Sequence, residues 1–366
     1  MPESRSPRIW LLLSDKLGDN AQVEIIAEAL GLPYEVKRVY PRPEFVLGKP
    51  RFRPSLYHLD MDRSDPLEPP WPDLIITIGR RPSMAAMWVR RRSGGHTRIV
   101  LLGRPKCMLE EYALVVVTAQ YRLPERPNVL HLDMPLMRTR EEAISAAVQD
   151  WQPRLEGLPR PLTALLVGGP TKPFLFDGTV ARDLAERALS ASEGGTLYAT
   201  TSRRTPPAVV SALEASLAGR ARFYRWGAPG DNPYLALLGL ADRFIVTGDS
   251  ISMMVEVARL GRPLAIYPLP RQPGLLPWAR QKLANAIHAS DAGNPGGAVL
   301  RLLGDGLYRL GLVRYSRDLT ALHRLLIDKR LATWLGAGFS PGGDSVPDEL
   351  SRVVARIRAL LPGTRP

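Results

Sequence analysis

Cysteine is almost absent: Cys107 is the only one in 366 residues, so no intramolecular disulfide can form and a reducing compartment suits the chain. Histidine is nearly as scarce. Five are scattered without close pairing, too few and too dispersed for a structural zinc site. Also missing is any uninterrupted apolar run of the roughly 18 residues that a membrane-spanning helix needs. The longest greasy stretches are broken by glycine, proline or charge. Residues Met1 to Arg8 are polar, and the apolar run Ile9–Leu13 stops at Ser14, Asp15 and Lys16, so no signal peptide is expected. The expected location is cytoplasmic, with peripheral contact at the inner membrane face allowed by the charge.

Neither a Walker loop nor the GxGxxG dinucleotide fingerprint is found, so no nucleotide cofactor of those kinds is expected. What the chain has is length, apolar mass and positive charge. Its 366 residues exceed the usual size of one domain and are 45% hydrophobic, enough for two cores. The net charge of +13 admits a nucleic acid, an anionic membrane surface or an anionic small substrate as partner. The basic residues are spread through both halves, and only Arg90, Arg91 and Arg92 form a tight run. With no aromatic–basic interleaving, nucleic acid is the weakest of the three. An arginine-rich proteome explains much of the charge without any partner.

Short β-rich runs alternate with helical segments, which predicts α/β architecture with mostly parallel sheets covered on both faces. Strands are expected at 9–13, 34–39, 73–78, 98–102, 114–117 and 129–132. Helices are expected at about 22–30 and from a cap at Ser83 to about Arg92. Three prolines between Gln152 and Pro161 mark a domain boundary, after which the pattern restarts. Strands follow at 162–167, 196–200, 222–224, 244–246 and 263–267, and helices at 178–190, 205–217, 234–240, 252–260, 275–289, 321–335 and 350–361. The expected organisation is two Rossmann-like domains facing across a cleft, at 1–155 and 156–320. Residues 321–366 would form terminal helices and a tail packing back on the first domain.

Ligands of α/β sheets sit beyond the carboxyl ends of the strands. Several loops meet that condition in the second half. Gly168, Gly169, Pro170, Thr171 and Lys172 follow one strand, where two glycines permit close backbone approach and Thr171 and Lys172 can donate to an anion. Ser202, Arg203 and Arg204 follow the next, and arginine grips phosphate or carboxylate bidentately. The strongest segment is Thr247-Gly248-Asp249-Ser250-Ile251-Ser252-Met253-Met254-Val255-Glu256. There a strand breaks into a helix whose free N–H groups and dipole favour a diphosphate, with Asp249, Ser250 or Ser252 as cap. Glu256 is placed to accept from vicinal hydroxyls such as those of a ribose. Between Trp226 and Tyr234, Asn232 caps another helix, and either aromatic can stack on a base or simply pack. In the first half, Asp15 and Asp19 follow the first strand as candidate general bases, although capping alone would explain Asp19.

Ser14-Asp15-Lys16-Leu17-Gly18-Asp19-Asn20-Ala21-Gln22, Gly79-Arg80-Arg81, Gly168-Gly169-Pro170, Thr201-Ser202-Arg203-Arg204-Thr205 and Thr247 to Met253 together resemble the mitochondrial fission protein family first named from plants. That resemblance implies a glycosyltransferase B fold, with a second domain similar to that of the bacterial peptidoglycan N-acetylglucosaminyltransferase. By the same resemblance Glu256 would hold the donor ribose, Ser250 and Ser252, with Met253 beside them, the diphosphate, and Asp19 or Asp15 would be the catalytic base. The implied activity is metal-independent glycosyl transfer from a nucleotide-diphosphate sugar, with no cofactor, to an anionic or lipid-linked acceptor. No DxD motif lies in the loops, which agrees with metal independence. The alternative is a non-catalytic scaffold at an anionic membrane surface, suggested by Met84, Met87 and Trp88 ahead of three arginines.

Overall fold

A computed structural model of the chain describes residues 6–46, 50–121, 123–138, 140–271, 318–342 and 348–361. Its contacts divide the chain into two compact units. The first contains the described residues through Arg138, Asp318, and those from Asp348 onward; the second contains 140–271 and 319–342. The expected helix at 275–289 lies outside the described residues.

In the first unit six strands form one sheet: β1 (Ile9–Leu13), β2 (Tyr34–Arg38), β3 (Leu74–Ile78), β4 (Arg98–Leu102), β5 (Leu114–Thr118) and β6 (Val129–Leu132). The order is β2-β1-β3-β4-β5-β6, and every pair is parallel. The reason is visible in β1, where every residue is buried and the side chains divide by period two. Ile9, Leu11 and Leu13 pack with Ile26 of α1 (Leu17–Leu30) and Val353 and Ile357 of α10 (Glu349–Arg358). Trp10 and Leu12 face the other way, into a cluster with Met87 and Val89 of α3 (Arg80–Arg92). A short helix, α2 (Pro43–Val46), lies in the proline-rich excursion before β3. Glu349, 1% exposed, accepts from the amides of Asp133 and Met134, so α10 is fastened to the end of β6.

The second unit repeats the plan. Its strands are β7 (Leu162–Val167), β8 (Thr196–Thr201), β9 (Arg222–Tyr224), β10 (Arg243–Thr247), β11 (Leu264–Tyr267) and β12 (Thr333–Trp334), in the order β12-β11-β10-β7-β8-β9. All pairs are again parallel. Its helices are α4 (Glu141–Leu155), α5 (Gly178–Ala191), α6 (Pro207–Leu217), α7 (Tyr234–Leu240), α8 (Ile251–Arg259) and α9 (Leu319–Asp328).

Several sequence expectations are corrected here. Ser83 does not cap α3. It is buried inside the helix, its hydroxyl donates to the Arg80 carbonyl, and the N-cap is Gly79. The helix α4 was not anticipated, and it runs through Pro153 into the stretch read as a boundary. Because α4 packs along α7, residues 140–155 belong to the second unit. The helix expected at 321–335 ends at Asp328; Arg330 turns the chain at φ 58°, and β12 follows. The helix expected at 205–217 starts two residues later, at Pro207, with Pro206 as its N-cap.

Candidate functional site

Strand order locates the candidate sites before any side chain is considered. In the second sheet the chain leaves β7 toward β8 and β9, then returns to the other side of β7 with β10. The loops after β7 and β10 therefore splay apart at a topological switch point, where ligands of α/β sheets bind. In the first sheet the reversal falls between β1 and β3.

At the second-unit switch point three loops are tied together. The Gly168 amide donates to Thr247 Oγ1 at 2.8 Å. The Thr205 hydroxyl donates to the Gly168 carbonyl at 2.6 Å and accepts from the Ser202 amide at 2.9 Å. A Cβ added to Gly168 would lie 2.7 Å from Asp249 Oδ2, and one added to Gly169 would lie 2.4 Å from Arg204 Cβ. The close approach that these glycines permit is thus to neighbouring loops, not the direct ligand approach expected from sequence. Thr171 turns its hydroxyl toward the Gly169 carbonyl at 3.4 Å, whereas Lys172, Arg203 and Ser252 are exposed. Met253 is half-buried.

Asp249 lies at the centre of the group. It is 3% exposed, and among the described residues neither carboxylate oxygen has a hydrogen-bond partner. Burial raises its pKa from 3.8 to about 6. The Thr247 hydroxyl, its own amide, the Arg204 charge and the Gly169 amide favour the charged form without closing a well-formed hydrogen bond. Next to it, Ser250 is the N-cap of α8 and makes no side-chain capping bond, so no side chain from the cap closes off the first-turn amides.

Glu256 lies further along α8 with its side chain 11% exposed. The Tyr234 hydroxyl donates to Oε2 at 2.6 Å, and Arg140 Nε stands 3.8 Å from Oε1. Burial, then the Glu256 charge, pushes the Tyr234 phenol well above its ordinary pKa. The carboxylate is therefore fixed in place, not left on a solvated helix face. Arg140 went unnoticed in the sequence because it precedes the unanticipated α4. His323 was also missed. It is 2% exposed, stacks on Phe174, and its Nε2 lies 2.6 Å from the Gly248 carbonyl, which anchors the loop ahead of Asp249. Trp226, 46% exposed, stands at the end of β9 with its amide bonded to Thr201 Oγ1.

In the first unit, Asp19 sits in the first turn of α1, whose N-cap is Lys16. Its neighbour Asn20 does the fastening: it accepts from the Ser14 amide and donates to the Ser14 carbonyl at 2.7 Å. That leaves capping without force as an explanation of Asp19. Asp15 is exposed and lies 3.8 Å from Arg81 Nη1. Asp19, Lys16 and Ser14 line a cavity of about 390 Å³ together with residues that follow β3 and β4.

Of the residues that suggested a membrane-facing stretch, the two methionines are core and Trp88 is half-buried. Met84 and Met87 are fully buried, and Trp88 packs edge-on against Trp71. Among the described residues no helix is long and apolar enough to cross a membrane.

Comparison with known proteins agrees with this architecture. A UDP-N-acetylglucosamine 2-epimerase assignment from Listeria monocytogenes has a solved structure similar over 98% of both chains, with a TM-score of 0.51 at 11% identity. A MurG structure from Acinetobacter baumannii covers 96% of this chain and 100% of its own at 15% identity, with a TM-score of 0.44. What the Listeria structure shares with this chain is the fold, two Rossmann-like domains. By sequence, the chain is 23% identical over 218 residues to the mitochondrial fission protein ELM1 of Arabidopsis thaliana, a match spanning 53% of this chain and only about half (51%) of the plant protein. An uncharacterised protein of Rickettsia prowazekii is 23% identical over 300 residues, 71% of this chain and 82% of its own. The family model described as mitochondrial fission ELM1 matches residues 18–290, and the chain belongs to that family.

Proposed function

We propose that the protein is a metal-independent glycosyltransferase using a nucleotide-diphosphate sugar. The observation that carries this reading is the switch-point group of the second unit: an uncapped helix N-terminus, the charge of Arg204 acting on the adjoining Asp249, and a fixed carboxylate, Glu256, on the same helix. The first-turn amides and the arginines receive the diphosphate, Glu256 takes the ribose hydroxyls, and Trp226 stacks on the base. Fixed donors stabilise the leaving diphosphate. Asp19 of the first unit takes the acceptor proton; the acceptor oxygen then bonds the anomeric carbon as its bond to the diphosphate breaks.

The test is calorimetry with a panel of nucleotide sugars, headed by UDP-N-acetylglucosamine because a structural neighbour is assigned as its epimerase. Absence of saturable binding at both low and moderate salt removes the reading. Product analysis with and without acceptors separates transfer from epimerisation, and EDTA should leave turnover unchanged.

Two substitutions probe the donor contacts. Glu256→Gln keeps size but loses the charged acceptor, so donor affinity should fall by about 1.5–3 kcal/mol, the range for hydrogen bonds to a charged group. Unchanged affinity in a folded variant would leave Glu256 only its contact with Tyr234. Arg203→Ala/Arg204→Ala should weaken a nucleoside diphosphate at least about tenfold while sparing the nucleoside, as expected for lost charge-assisted bonds. Equal losses for both ligands would exclude phosphate contact.

A further inference from the structure

Glu256 has one carboxylate oxygen committed and one open. Oε2 accepts from the Tyr234 hydroxyl at 2.6 Å. Burial, and after it the Glu256 charge, raises the pKa of that phenol, so the hydroxyl stays a donor through the neutral range. Arg140 Nε stands 3.8 Å from Oε1, an ion pair too long for a hydrogen bond. Among the described residues Oε1 therefore has no hydrogen bond, although the side chain is only 11% exposed. A charged acceptor so nearly buried is costly unless a donor reaches it.

Three helices of the second unit build this arrangement. Tyr234 opens α7, where its amide donates to Asn232 Oδ1 at 3.0 Å. Gly239 lets α4 lie close along α7, since a Cβ there would stand 2.3 Å from Val148 Cγ2. Arg140, the N-cap of α4, thereby comes beside Glu256 of α8.

We infer that Tyr234 is a positioning residue: by holding Oε2 it presents Oε1 next to Arg140, and the pair selects the cis-diol of ribose over 2′-deoxyribose. One hydroxyl donates to Oε1 while its neighbour accepts from the guanidinium, two bonds that a deoxy sugar cannot both form. This role rests on the donor reading and adds to it a ligand selectivity and two residues. Its size follows from the same geometry. A deoxy ligand leaves Oε2 satisfied by Tyr234, and the half-exposed Arg140 side chain can turn to water. The discrimination is then that of one hydrogen bond to a charged group, about 10–150-fold, and not the 10⁴-fold or so of a site sealed around its polar groups.

Calorimetric titrations with UDP, ADP and GDP, each beside its 2′-deoxy form, test it. The wild type should bind the preferred ribonucleotide about 10–150-fold more tightly than its deoxy counterpart. Tyr234→Phe keeps the ring and deletes only the hydroxyl. Ribonucleotide affinity should fall in this variant, and the ribo-to-deoxy ratio should drop to about threefold or less. A Tyr234 with only a structural role would lower the unfolding midpoint of Tyr234→Phe and leave the ratio as in the wild type, which overturns the positioning role. Arg140→Gln alters a half-exposed side chain and folds independently of the phenol, so it checks the diol pairing separately. Its ratio should fall as well, and an unchanged ratio overturns the pairing. Equal binding of both forms by the wild type overturns the selectivity while the donor reading stands. Binding of none of the six nucleotides removes the donor reading, and this role goes with it.

Discussion

Replacing Asp249 by asparagine should make the protein more stable at pH 7, by about 3 kcal/mol, and should change its stability little at pH 4. The sign follows from proton counting. Burial raises the folded-state pKa to about 6 from 3.8, so between those values the folded protein holds a proton that the unfolded chain has released. Stability therefore falls as pH rises through this window, and above it the protein bears a constant penalty for a buried, unpartnered charge. Asparagine never ionises and escapes that penalty, while its size leaves the packing against Gly168 unchanged. Urea denaturation of both proteins at pH 4 and pH 7 measures the difference. An equal gap at the two pH values would mean that the carboxylate is not desolvated as described. A natural sequence that retains a destabilising carboxylate at the junction of three loops invites a functional explanation. Under the donor reading, a diphosphate at the α8 terminus pushes Asp249 further toward its protonated form. Donor binding should then take up a proton near neutral pH, visible as a dependence of the calorimetric heat on the buffer's ionisation enthalpy.

The sheets were legible in the sequence because strands buried on both faces read as near-continuous apolar runs, as in Leu74–Ile78 and Leu162–Val167, each broken by a single threonine. Helix starts were less so. The helix α1 begins at Leu17, five residues before the expected start, because Lys16 is not a capping residue type and Gly18 weakens the pattern. In α4 only Ile144 and Leu155 are buried, too thin a stripe to show through a polar sequence containing proline. The two-residue β12 offers no periodicity at all. The loops of the second unit could be found from strand ends alone, but their mutual contacts could not. Nothing local in the sequence says that Gly168 meets Asp249, or that Arg140 and Tyr234 converge on Glu256. The first-unit cavity illustrates the same limit. Residues 14–19, 79–81 and 104–106 are ordinary strand exits until the order β1-β3-β4 places them side by side.

That cavity gives the largest expected effect. If Asp19 takes the acceptor proton, Asp19→Asn should lower turnover about 10²–10⁴-fold, the range for removing a positioned acid–base group. Donor affinity should hardly change, since the donor contacts are assigned to the second unit. The substitution is conservative in every respect but one. Asp19 lies in the first turn of α1 and makes no capping hydrogen bond, while the buried Asn20 holds the preceding loop through Ser14. Losing the Asp19 charge removes a favourable dipole interaction, worth about 0.3–1 kcal/mol, and a carboxylate from among the cations that line the cavity. A folded variant is therefore expected, and thermal unfolding should confirm it. Asp15→Asn serves as the internal comparison. Its carboxylate is exposed and directed toward Arg81, whose guanidinium is already held by two backbone carbonyls, so turnover should fall by much less than in Asp19→Asn. Steady-state rates with an identified donor and acceptor decide between the two carboxylates. A severe loss in Asp15→Asn with near-normal turnover in Asp19→Asn would move the base to Asp15. If neither variant slows transfer, the base lies outside this loop and the assignment of Asp19 is wrong.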